Sequence, residues 1–506
     1  MLKIVFIFPD IGWNSVNFSP AILCLSAYLK AHIEDIDINV LHLNEFCGMS
    51  YDLDNICNYI INYEPDIVGV TSTSYTYREV NDIAESLKTR GLAVPVVLGG
   101  AHAHTSPDDI ETSHFDAFAI GEGEISLLEL CQRLIRGDDI SNTPGFYYKS
   151  KQGVLRNKPA KALSNLDDLP IRDYNQMNTD EILKRRNGWL NIAFSRGCPY
   201  SCSFCINQIQ RKLFRAGNDC SYFRCQSVEK TMSELMALVN QFRGSLKVIN
   251  FDDDLLMLRK DWFISFANAF RDKIYLPEGI RYVVNGRADL IDDEIVDALS
   301  RSGCFEMQIG FESGDSELRN IVLNKQIDDD DLLRIFSMCR DKNVRTLAYT
   351  MMGIPGETHK TIEKTIKMLT VLKPTLIRMT IFDPFVGTPL HEYCLKNNLI
   401  RHDKRLQNHF TESRLAFADL SNFDIASYHL LFPWHLNIAL GNEPEDYHKL
   451  LAEHSGLSFE DLIHPDFRAK VIAHDGMQSE KMRNNGISHF RYFDRNPFYY
   501  EYWSSN

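Results

Sequence analysis

Length, composition and charge place this chain among ordinary multidomain globular proteins. It has 506 residues, 44% hydrophobic and 24% charged, and its formal net charge is −14 at pH 7. A chain of this length should fold into about two to four domains. The acidic balance argues against a general nucleic-acid binder, and no apolar run is long enough to cross a bilayer. Because the apolar start ends at Pro9, it predicts a buried strand rather than a signal peptide, and we expect a cytoplasmic location.

The first 150 residues alternate strand and helix patterns. Short β-rich runs separated by helical runs predict a parallel sheet with crossover helices, so residues 1–150 should form a Rossmann-like domain. The predicted strands span residues 3–8, 38–43, 67–71, 96–98 and 117–120, and the predicted helices span residues 20–30, 55–62, 77–88 and 125–136.

Small, hydroxylic and glycine residues follow four of these strands. Ligands of such sheets sit at the carboxyl ends of the strands, and small residues let the backbone approach a ligand closely. The candidate ligand-binding residues are Gly12, Trp13, Asn14, Thr71, Ser72, Ser74, Gly99, Gly100, His102, Gly121, Glu122 and Gly123. No G-x-G-x-x-G follows the first strand, which argues against a dinucleotide site. A domain that has lost its ligand is the alternative.

A polar linker, residues 151–188, precedes a second alternating region, residues 189–399. Its strand patterns predict six βα units, which would make a partial (β/α)6 TIM-type barrel. Catalytic residues of such barrels lie at the carboxyl ends of the strands. The predicted strands span residues 190–195, 247–251, 281–284, 306–310, 345–351 and 376–382.

Three cysteines follow the first of these strands with the spacing C-x3-C-x2-C: Cys198, Cys202 and Cys205. Soft thiolates select soft metals and hold iron–sulfur clusters. Three ligands leave one iron of a four-iron cluster open to a small chelating molecule. A zinc site would need a fourth ligand, for which Cys220 or Cys225 is a candidate. A disulfide framework is disfavoured in a long chain without a secretory signal.

The cysteine loop resembles the signature of the radical S-adenosylmethionine (SAM) enzymes, including the aromatic Phe204 before the third cysteine. The resemblance implies a [4Fe–4S] cluster whose open iron binds SAM and whose electron releases a 5′-deoxyadenosyl radical. Motifs at the later strand ends also match this family in order and spacing. They imply SAM contacts from Phe204, Asp253, Arg287, Glu312, Ser313, Gly353, Pro355 and Gly356.

The runs Val-Val-Leu-Gly-Gly-Ala-His102 and Ile-Gly-Glu-Gly-Glu124, ahead of the cysteine loop, resemble the cobalamin-binding domain of cobalamin-dependent radical SAM enzymes. The wider Asp-x-His-x-x-Gly motif is absent, since Asp10 is followed by Ile11 and Gly12. The resemblance therefore implies a base-off corrin without a protein histidine on cobalt, and it makes the twelve candidate ligand-binding residues named above, from Gly12 to Gly123, the predicted cobalamin contacts. Trp13, Asn14 or a water could face its lower side.

The last part of the chain, residues 400–506, matches no motif of this family. Helical periodicity over 425–440 and 446–453 predicts a mainly helical domain that caps the barrel mouth and shapes the substrate pocket. Its ring-dense tail, residues 489–503, predicts core or interface packing. Histidines are frequent here, but no pair has tight ligand spacing. They are His402, His409, His429, His435, His448, His454, His464, His474 and His489.

The function implied by the resemblance is a cobalamin-dependent methyltransferase acting on a small molecule. The adenosyl radical would take hydrogen from an unactivated carbon, and the substrate radical would take a methyl group from methylcobalamin, which a second SAM restores. An electron donor such as flavodoxin or ferredoxin is implied, whereas no nucleic acid is. No side chain is assigned as acid or base, because the cofactors carry the chemistry.

The alternatives differ in outcome or in cofactors. Some relatives use the same two domains for cyclisation, ring rearrangement or oxidation without methyl transfer. A methylthiotransferase would need a second cysteine loop, which Cys24, Cys47, Cys57 and Cys131 do not form. The intact cysteine loop argues against a cobalamin sensor or carrier.

Overall fold

A computed structural model describes residues 1–11, 16–401, 412–442, 445–454 and 456–505. The chain forms two compact units. The first comprises Met1–Pro199, Ile206–Leu256 and Ser265–Tyr282, and the second comprises Tyr200–Cys205, Met257–Ile264 and Val283–Asn506. Among the described residues, none of the helices combines the length and apolar character of a membrane span.

The first unit begins with a seven-stranded sheet in the order β2-β1-β3-β4-β5-β6-β7. Strands β1 to β5 are parallel, and β6 and β7 join as an antiparallel hairpin. The elements are β1 (Leu2–Pro9), α1 (Pro20–His32), β2 (Ile36–Leu43), α2 (Leu53–Tyr63), β3 (Ile67–Thr71), α3 (Tyr77–Thr89), β4 (Val96–Gly99), α4 (Ala101–Thr105), β5 (Ala117–Ala119), α5 (Gly123–Arg136), β6 (Phe146–Ser150) and β7 (Gly153–Arg156).

Both faces of this sheet are covered because successive strand residues point to opposite sides. Val5, Ile7 and Val68 pack on one face against α2 and α3. Ile4 and Phe6 pack on the other face against α1 and α5. The strand order reverses between β1 and β3, and ligands of doubly wound sheets bind at the carboxyl ends beside such a point.

The rest of the first unit leads into and out of the cysteine loop. Strands β8 and β11 pair in parallel, and β9 and β10 pair antiparallel. The elements are α6 (Thr179–Arg185), β8 (Trp189–Ile192), β9 (Ser195–Arg196), α7 (Asn207–Gly217), β10 (Arg224–Cys225), α8 (Val228–Gln241) and β11 (Val248–Phe251), and α9 (Lys260–Phe270), α10 (Leu276–Glu278) and β12 (Arg281–Gly286) follow in the chain.

The second unit contains five neighbouring strands in the order β16-β17-β15-β14-β13. Strands β13, β14 and β15 are parallel, and β17 pairs antiparallel with both β15 and β16. The elements are α11 (Asp293–Arg301), β13 (Cys304–Glu312), α12 (Asp329–Asp341), β14 (Thr346–Met352), α13 (His359–Leu372), β15 (Leu376–Ile381), α14 (Pro389–Lys396), α15 (Asn422–Leu430), α16 (Phe432–Ala439), α17 (Glu445–His454), α18 (Phe459–Ile463), α19 (Pro465–Asn484), β16 (His489–Phe493) and β17 (Asn496–Trp503).

The predicted α/β fold class, with a helical carboxy-terminal region, is confirmed, and the differences from expectation are local. The strand predicted over 190–195 is broken into β8 and β9. The stretch expected to be a linker carries β7 and α6, and the ring-dense tail forms β16 and β17. His402 and His409 lie outside the described residues.

Candidate cofactor sites

The loops after β3 and β4 are tied to each other by backbone hydrogen bonds. The Ser72 N–H donates to Gly99 O at 3.0 Å, and the His102 N–H donates to Ser72 O at 3.1 Å. Gly100 has a φ of +90°, and a Cβ there would lie 2.7 Å from Ser72 O. Only glycine fits this crossing. Four residues of the predicted cobalamin set are therefore brought together.

His102 is fixed inside this loop pair. Its Nδ1 lies 3.0 Å from Ser74 Oγ, its ring stacks on Tyr77 at a centroid distance of 3.7 Å, and its Nε2 lies 3.2 Å from Asp109 Oδ2. The residue is 4% exposed. These neighbours favour a role in holding the loops.

The loop after β5 leaves space at the same edge of the sheet. The Gly121 N–H donates to His104 Nε2 at 3.1 Å, which joins this loop to the one after β4. Burial lowers the pKa of His104, so its neutral ring can accept this bond. Gly121 has a φ of +98°, and a Cβ there would meet nothing within 4 Å. Open space over a glycine loop fits a flat corrin. Of the remaining predicted residues, Gly12, Trp13 and Asn14 lie outside the described residues.

A buried polar network at the ends of β1 and β2 was missed by sequence reasoning. Asp10 Oδ2 accepts the Asn17 N–H at 2.7 Å and lies 3.0 Å from His42 Nε2 and 3.2 Å from Asn44 Nδ2. It anchors the chain on both sides of residues 12–15, beside the point where the strand order reverses. A carboxylate directly after an apolar strand was the available signal.

Asp253 holds the segment that enters the cysteine loop. Its Oδ1 accepts the Phe194 N–H at 3.0 Å, and the N–H and hydroxyl of Ser195 lie at 2.5 Å. Burial raises the pKa of Asp253 to about 6, although the bonds from Ser195 oppose the shift. These bonds occur where β8 ends and β9 begins. Asp253 was predicted to contact SAM, and in the structure it supports the backbone ahead of Cys198.

In the second unit, the cysteine-loop residues 200–205 are held mainly through Ser203. Its N–H donates to Leu323 O at 2.9 Å and its hydroxyl to Val322 O at 2.6 Å. The Cys205 N–H donates to Cys202 O at 3.2 Å, which forms a turn. Phe204 belongs to the hydrophobic cluster around the loop after β14.

The donor set of three partly exposed cysteines fits an iron–sulfur cluster, because thiolates are its usual ligands. Within the described residues, the structure contains no group of three or more His, Cys, Asp or Glu side chains that could hold a metal ion. The assignment of Cys198, Cys202 and Cys205 as ligands therefore rests on their spacing.

Arg287 braces the cysteine loop. Its guanidinium lies 3.7 Å from the centroid of the Tyr200 ring, and its Nη1 lies 4.0 Å from Cys202 Sγ. Its Nη2 donates to Lys325 O and, at 3.1 Å, to Gln326 O. A planar fork suits such simultaneous contacts. The predicted contact of Arg287 with the SAM carboxylate would have to coexist with these bonds.

Glu312 and Ser313, like Arg287, already contact other residues of the protein. Glu312 has a φ of +67° beside a bulge in β13, and its carboxylate pairs with Lys325 Nζ at 2.5 Å. Ser313 Oγ lies 3.3 Å from Thr365 Oγ1, and Ser313 O accepts from Arg319 at 2.8 Å. Lys325 joins the Arg287 and Glu312 contacts into one cluster, and no sequence signal pointed to it.

The loop after β14 is shaped by Glu357, which the prediction left out. Its carboxylate accepts the N–H of Gly353 and, at 3.3 Å, that of Ile354. Gly353 and Gly356 have φ values of +80° and +85°. Burial raises the pKa of Glu357 to about 8. This loop also contains the predicted residue Pro355. The sequence run that ends in Glu357 was the available signal for the role of this glutamate.

Two family models match this chain. The B12 binding domain matches residues 10–131, and the Radical SAM superfamily matches residues 192–369. Together they cover the loops after β3 to β5 and the whole cysteine loop.

Curated relatives resemble most of the chain. An uncharacterised methyltransferase of Pyrococcus horikoshii is 28% identical over 382 residues, covering 74% of this chain and 78% of the relative. The anaerobic magnesium-protoporphyrin IX monomethyl ester cyclase of Rubrivivax gelatinosus is 24% identical over 416 residues, covering 77% of this chain and 70% of the relative.

Solved structures share the fold. The radical SAM methyltransferase TsrM of Kitasatospora setae, solved with cobalamin and a [4Fe–4S] cluster, superposes with a TM-score of 0.66 at 19% identity, covering 83% of this chain and 80% of that one. The cobalamin-dependent SAM radical enzyme OxsB gives a TM-score of 0.68 at 16% identity, covering 96% and 75%. With a B12 binding domain followed by a radical SAM domain, this chain belongs to the cobalamin-dependent radical SAM enzymes.

Proposed function

We propose that this protein is a cobalamin-dependent radical SAM methyltransferase that adds a methyl group to an unactivated carbon of a small molecule. The observation that carries the proposal is the C-x3-C-x2-C loop in the same chain as a B12 binding domain. Curated relatives named as methyltransferases support this outcome.

The cysteines Cys198, Cys202 and Cys205 would hold the cluster, and the glycine and hydroxyl loops after β3, β4 and β5 would hold the corrin. When bound, the cluster and SAM supply a hydrogen-abstracting radical, and cobalamin supplies the methyl group. The residues assigned to SAM are Phe204, Asp253, Arg287, Glu312, Ser313, Gly353, Pro355 and Gly356. Arg287 would orient the cysteine loop, and Glu312 would orient Lys325. Glu357 would hold the backbone after β14 in the conformation that binds SAM.

The test is anaerobic incubation of reconstituted protein with SAM, a reductant and hydroxocobalamin, followed by mass spectrometry of candidate substrates. We expect 5′-deoxyadenosine together with a product that gains one methylene. Failure to retain cobalamin, or to cleave SAM, would refute the proposal.

A second outcome is cyclisation, ring rearrangement or oxidation with the same cofactors. The similarity to an anaerobic cyclase favours this candidate. The product mass separates the two, because a cyclised or oxidised product loses hydrogen or gains oxygen and does not gain a methylene.

Residues 400–506 are proposed to cap the carboxyl ends of the barrel strands. Arg414 Nε donates to Asp383 Oδ1 at 2.8 Å in the loop after β15. Phe417 packs in the same hydrophobic cluster as Ile354, which lies in the loop after β14. These contacts with the loops after β14 and β15 support the proposed capping role.

The proposal also includes an electron donor and a cellular location. A low-potential cluster needs an electron donor such as flavodoxin or ferredoxin. A reducing cytoplasm suits twelve cysteines among which no disulfide occurs in the described part of the chain.

A further inference from the structure

Two arginines stand directly opposite each other on the short ribbon that leads into the cysteine loop. Arg196 of β9 pairs with Arg224 of β10 in the antiparallel register. Like charges at directly opposed positions destabilise a strand pair. The ribbon therefore needs carboxylates from elsewhere in the first unit.

Glu122, in the loop after β5, and Glu124, in the first turn of α5, supply them. Arg196 donates to Glu122 Oε2 at 2.7 Å and to Glu124 Oε1 at 2.5 Å. Arg224 donates to Glu122 Oε1 and, at 3.2 Å, to Glu122 Oε2. Both oxygens of Glu122 are thus used by arginines, and the four charges balance.

Glu124 and Arg224 are the buried members of the network, whereas Arg196 and Glu122 are partly exposed. Glu124 is 5% exposed, and the Cys24 thiol donates to its Oε1 at 3.4 Å. Burial alone would raise the pKa of Glu124, but the Arg196 guanidinium outweighs it and lowers the pKa to about 2. The carboxylate is therefore charged at any physiological pH. Removing one partner would leave a charge buried without its counterion, which is strongly destabilising.

The path from Arg196 to the first cysteine is short and stiff. Only Gly197 separates Arg196 from Cys198. Gly197 has a φ of +88°, and a Cβ there would lie 2.6 Å from Tyr222 O. The position of Arg196 therefore sets where the cysteine loop begins.

We propose that Glu122 and Glu124 are positioning residues that fix the start of the cysteine loop relative to the cobalamin-binding loop after β5. The inference rests on the proposed function, because it concerns the two cofactors named there. It also reassigns Glu122, which the sequence placed among the cobalamin contacts. Cys198 and the loop after β5 both belong to the first unit, so the network would fix the one cluster ligand of that unit relative to the cobalamin-binding loop.

The experiment is pulsed dipolar EPR between cob(II)alamin and the reduced cluster in the reconstituted full-length protein. The variants are Glu122→Gln, Arg196→Gln and the conservative Arg196→Lys. The matched control is Lys88→Met, which breaks another ion pair of the same unit with similar exposure, Lys88 with Asp116 at 2.6 Å, and involves no residue of the network. Iron and cobalt content and the thermal unfolding midpoint are measured for each protein.

We expect a single narrow distance distribution in the wild type and in Lys88→Met, even though Lys88→Met lowers the unfolding midpoint. Glu122→Gln and Arg196→Gln should keep both cofactors and lose the narrow distribution, and Arg196→Lys should restore part of it.

Narrow distributions in Glu122→Gln and Arg196→Gln would overturn the inference, as would a broad one in the wild type or in the control. Loss of cobalamin in Glu122→Gln with a normal cluster would mean that Glu122 contacts the corrin directly. A wild-type protein that retains no cobalamin or no cluster would instead refute the proposed function.

Discussion

The loops after β3, β4 and β5 and the loops after β12, β13 and β14 use their motif residues differently. In the former set, small residues shape the backbone, and Gly121 has open space beside it. In the latter set, the charged residues already contact other parts of the protein: Arg287 contacts Cys202 and Glu312 pairs with Lys325. A glycine motif marks where a ligand can approach the backbone. A charged motif residue can instead hold in place the loop that binds the ligand.

The largest effect should come from the three cysteines of the loop, because they would hold the cluster itself. Replacing Cys198, Cys202 and Cys205 together with Ala should abolish reductive cleavage of SAM, because no thiolate would remain to hold a cluster. The measurement is 5′-deoxyadenosine formed anaerobically with dithionite. The control is the pair Cys220→Ala and Cys225→Ala, which should keep the cluster. Residual cleavage in the triple variant would refute the assignment, and loss of metal in the control pair would favour the zinc alternative.

Glu357 should make the loop after β14 sensitive to pH. Its carboxyl has a pKa of about 8 in the folded protein against a usual 4.5, so the folded state binds more protons between these pH values. The free energy of unfolding contributed by this group is therefore present at low pH and lost as pH rises towards 8, by about 1.4 kcal/mol for each pKa unit. Glu357→Gln should remove this part of the slope in chemical denaturation series at several pH values.

The exposed Glu363 of α13 gives the matched control. Glu363→Gln should leave the pH dependence of unfolding as in the wild type. An unchanged slope in Glu357→Gln would mean that the carboxyl is ionised throughout this range.

Glu312 tests whether a charged motif residue acts on SAM or on its neighbour. Glu312→Ala removes a charge-assisted contact worth about 1.5–3 kcal/mol and should weaken SAM binding about ten- to a hundredfold. Because Glu312 and Lys325 are in contact, we expect the double variant with Lys325→Met to bind SAM no more weakly than Glu312→Ala alone. SAM titration followed by the EPR signal of the cluster measures this.

Cobalamin and iron content should not change in either variant. Additive losses in the double variant would show that Glu312 and Lys325 contact SAM separately. Loss of cobalamin would mean that this strand end serves the other cofactor.

The smallest effect separates two glycines of the first unit. Gly100→Ala meets Ser72 O at 2.7 Å and should lower stability by about 1–3 kcal/mol. Gly121→Ala meets no neighbour and should cost only about 1 kcal/mol of backbone strain, yet it should weaken hydroxocobalamin binding more than Gly100→Ala does. Thermal unfolding and absorbance titration give the two quantities. The reverse order of affinities would move the corrin away from the loop after β5.

Much of the fold could be predicted because the signals are local. The strand predicted over 67–71 coincides with β3, since a buried parallel strand is a continuous apolar run. The break between β8 and β9 could not be predicted, because the Asp253 carboxylate that takes the local N–H groups comes from 58 residues further along the chain. The family and its motif loops were likewise predictable, and the family assignment is confirmed.

The contacts within the site could not be predicted, because they join residues that are far apart in the sequence. Glu122 reaches Arg196 across 74 residues, and Glu312 reaches Lys325 through a turn that no pattern marks. Glu357 belongs to a motif that the sequence shows, but its burial and its two backbone donors exist only once the loop has folded. The residue assignments to each cofactor stay predictions.

The pairing of β17 with β15 has a consequence for how the protein can be handled. An uncovered parallel strand presents a row of unpaired backbone groups that recruits other chains. Register pairs such as Ile377 with Tyr500 cover that edge with the last described strand. Deleting residues 489–503 would bare the edge of β15 at residues 376–378, and such a truncation should give insoluble aggregates.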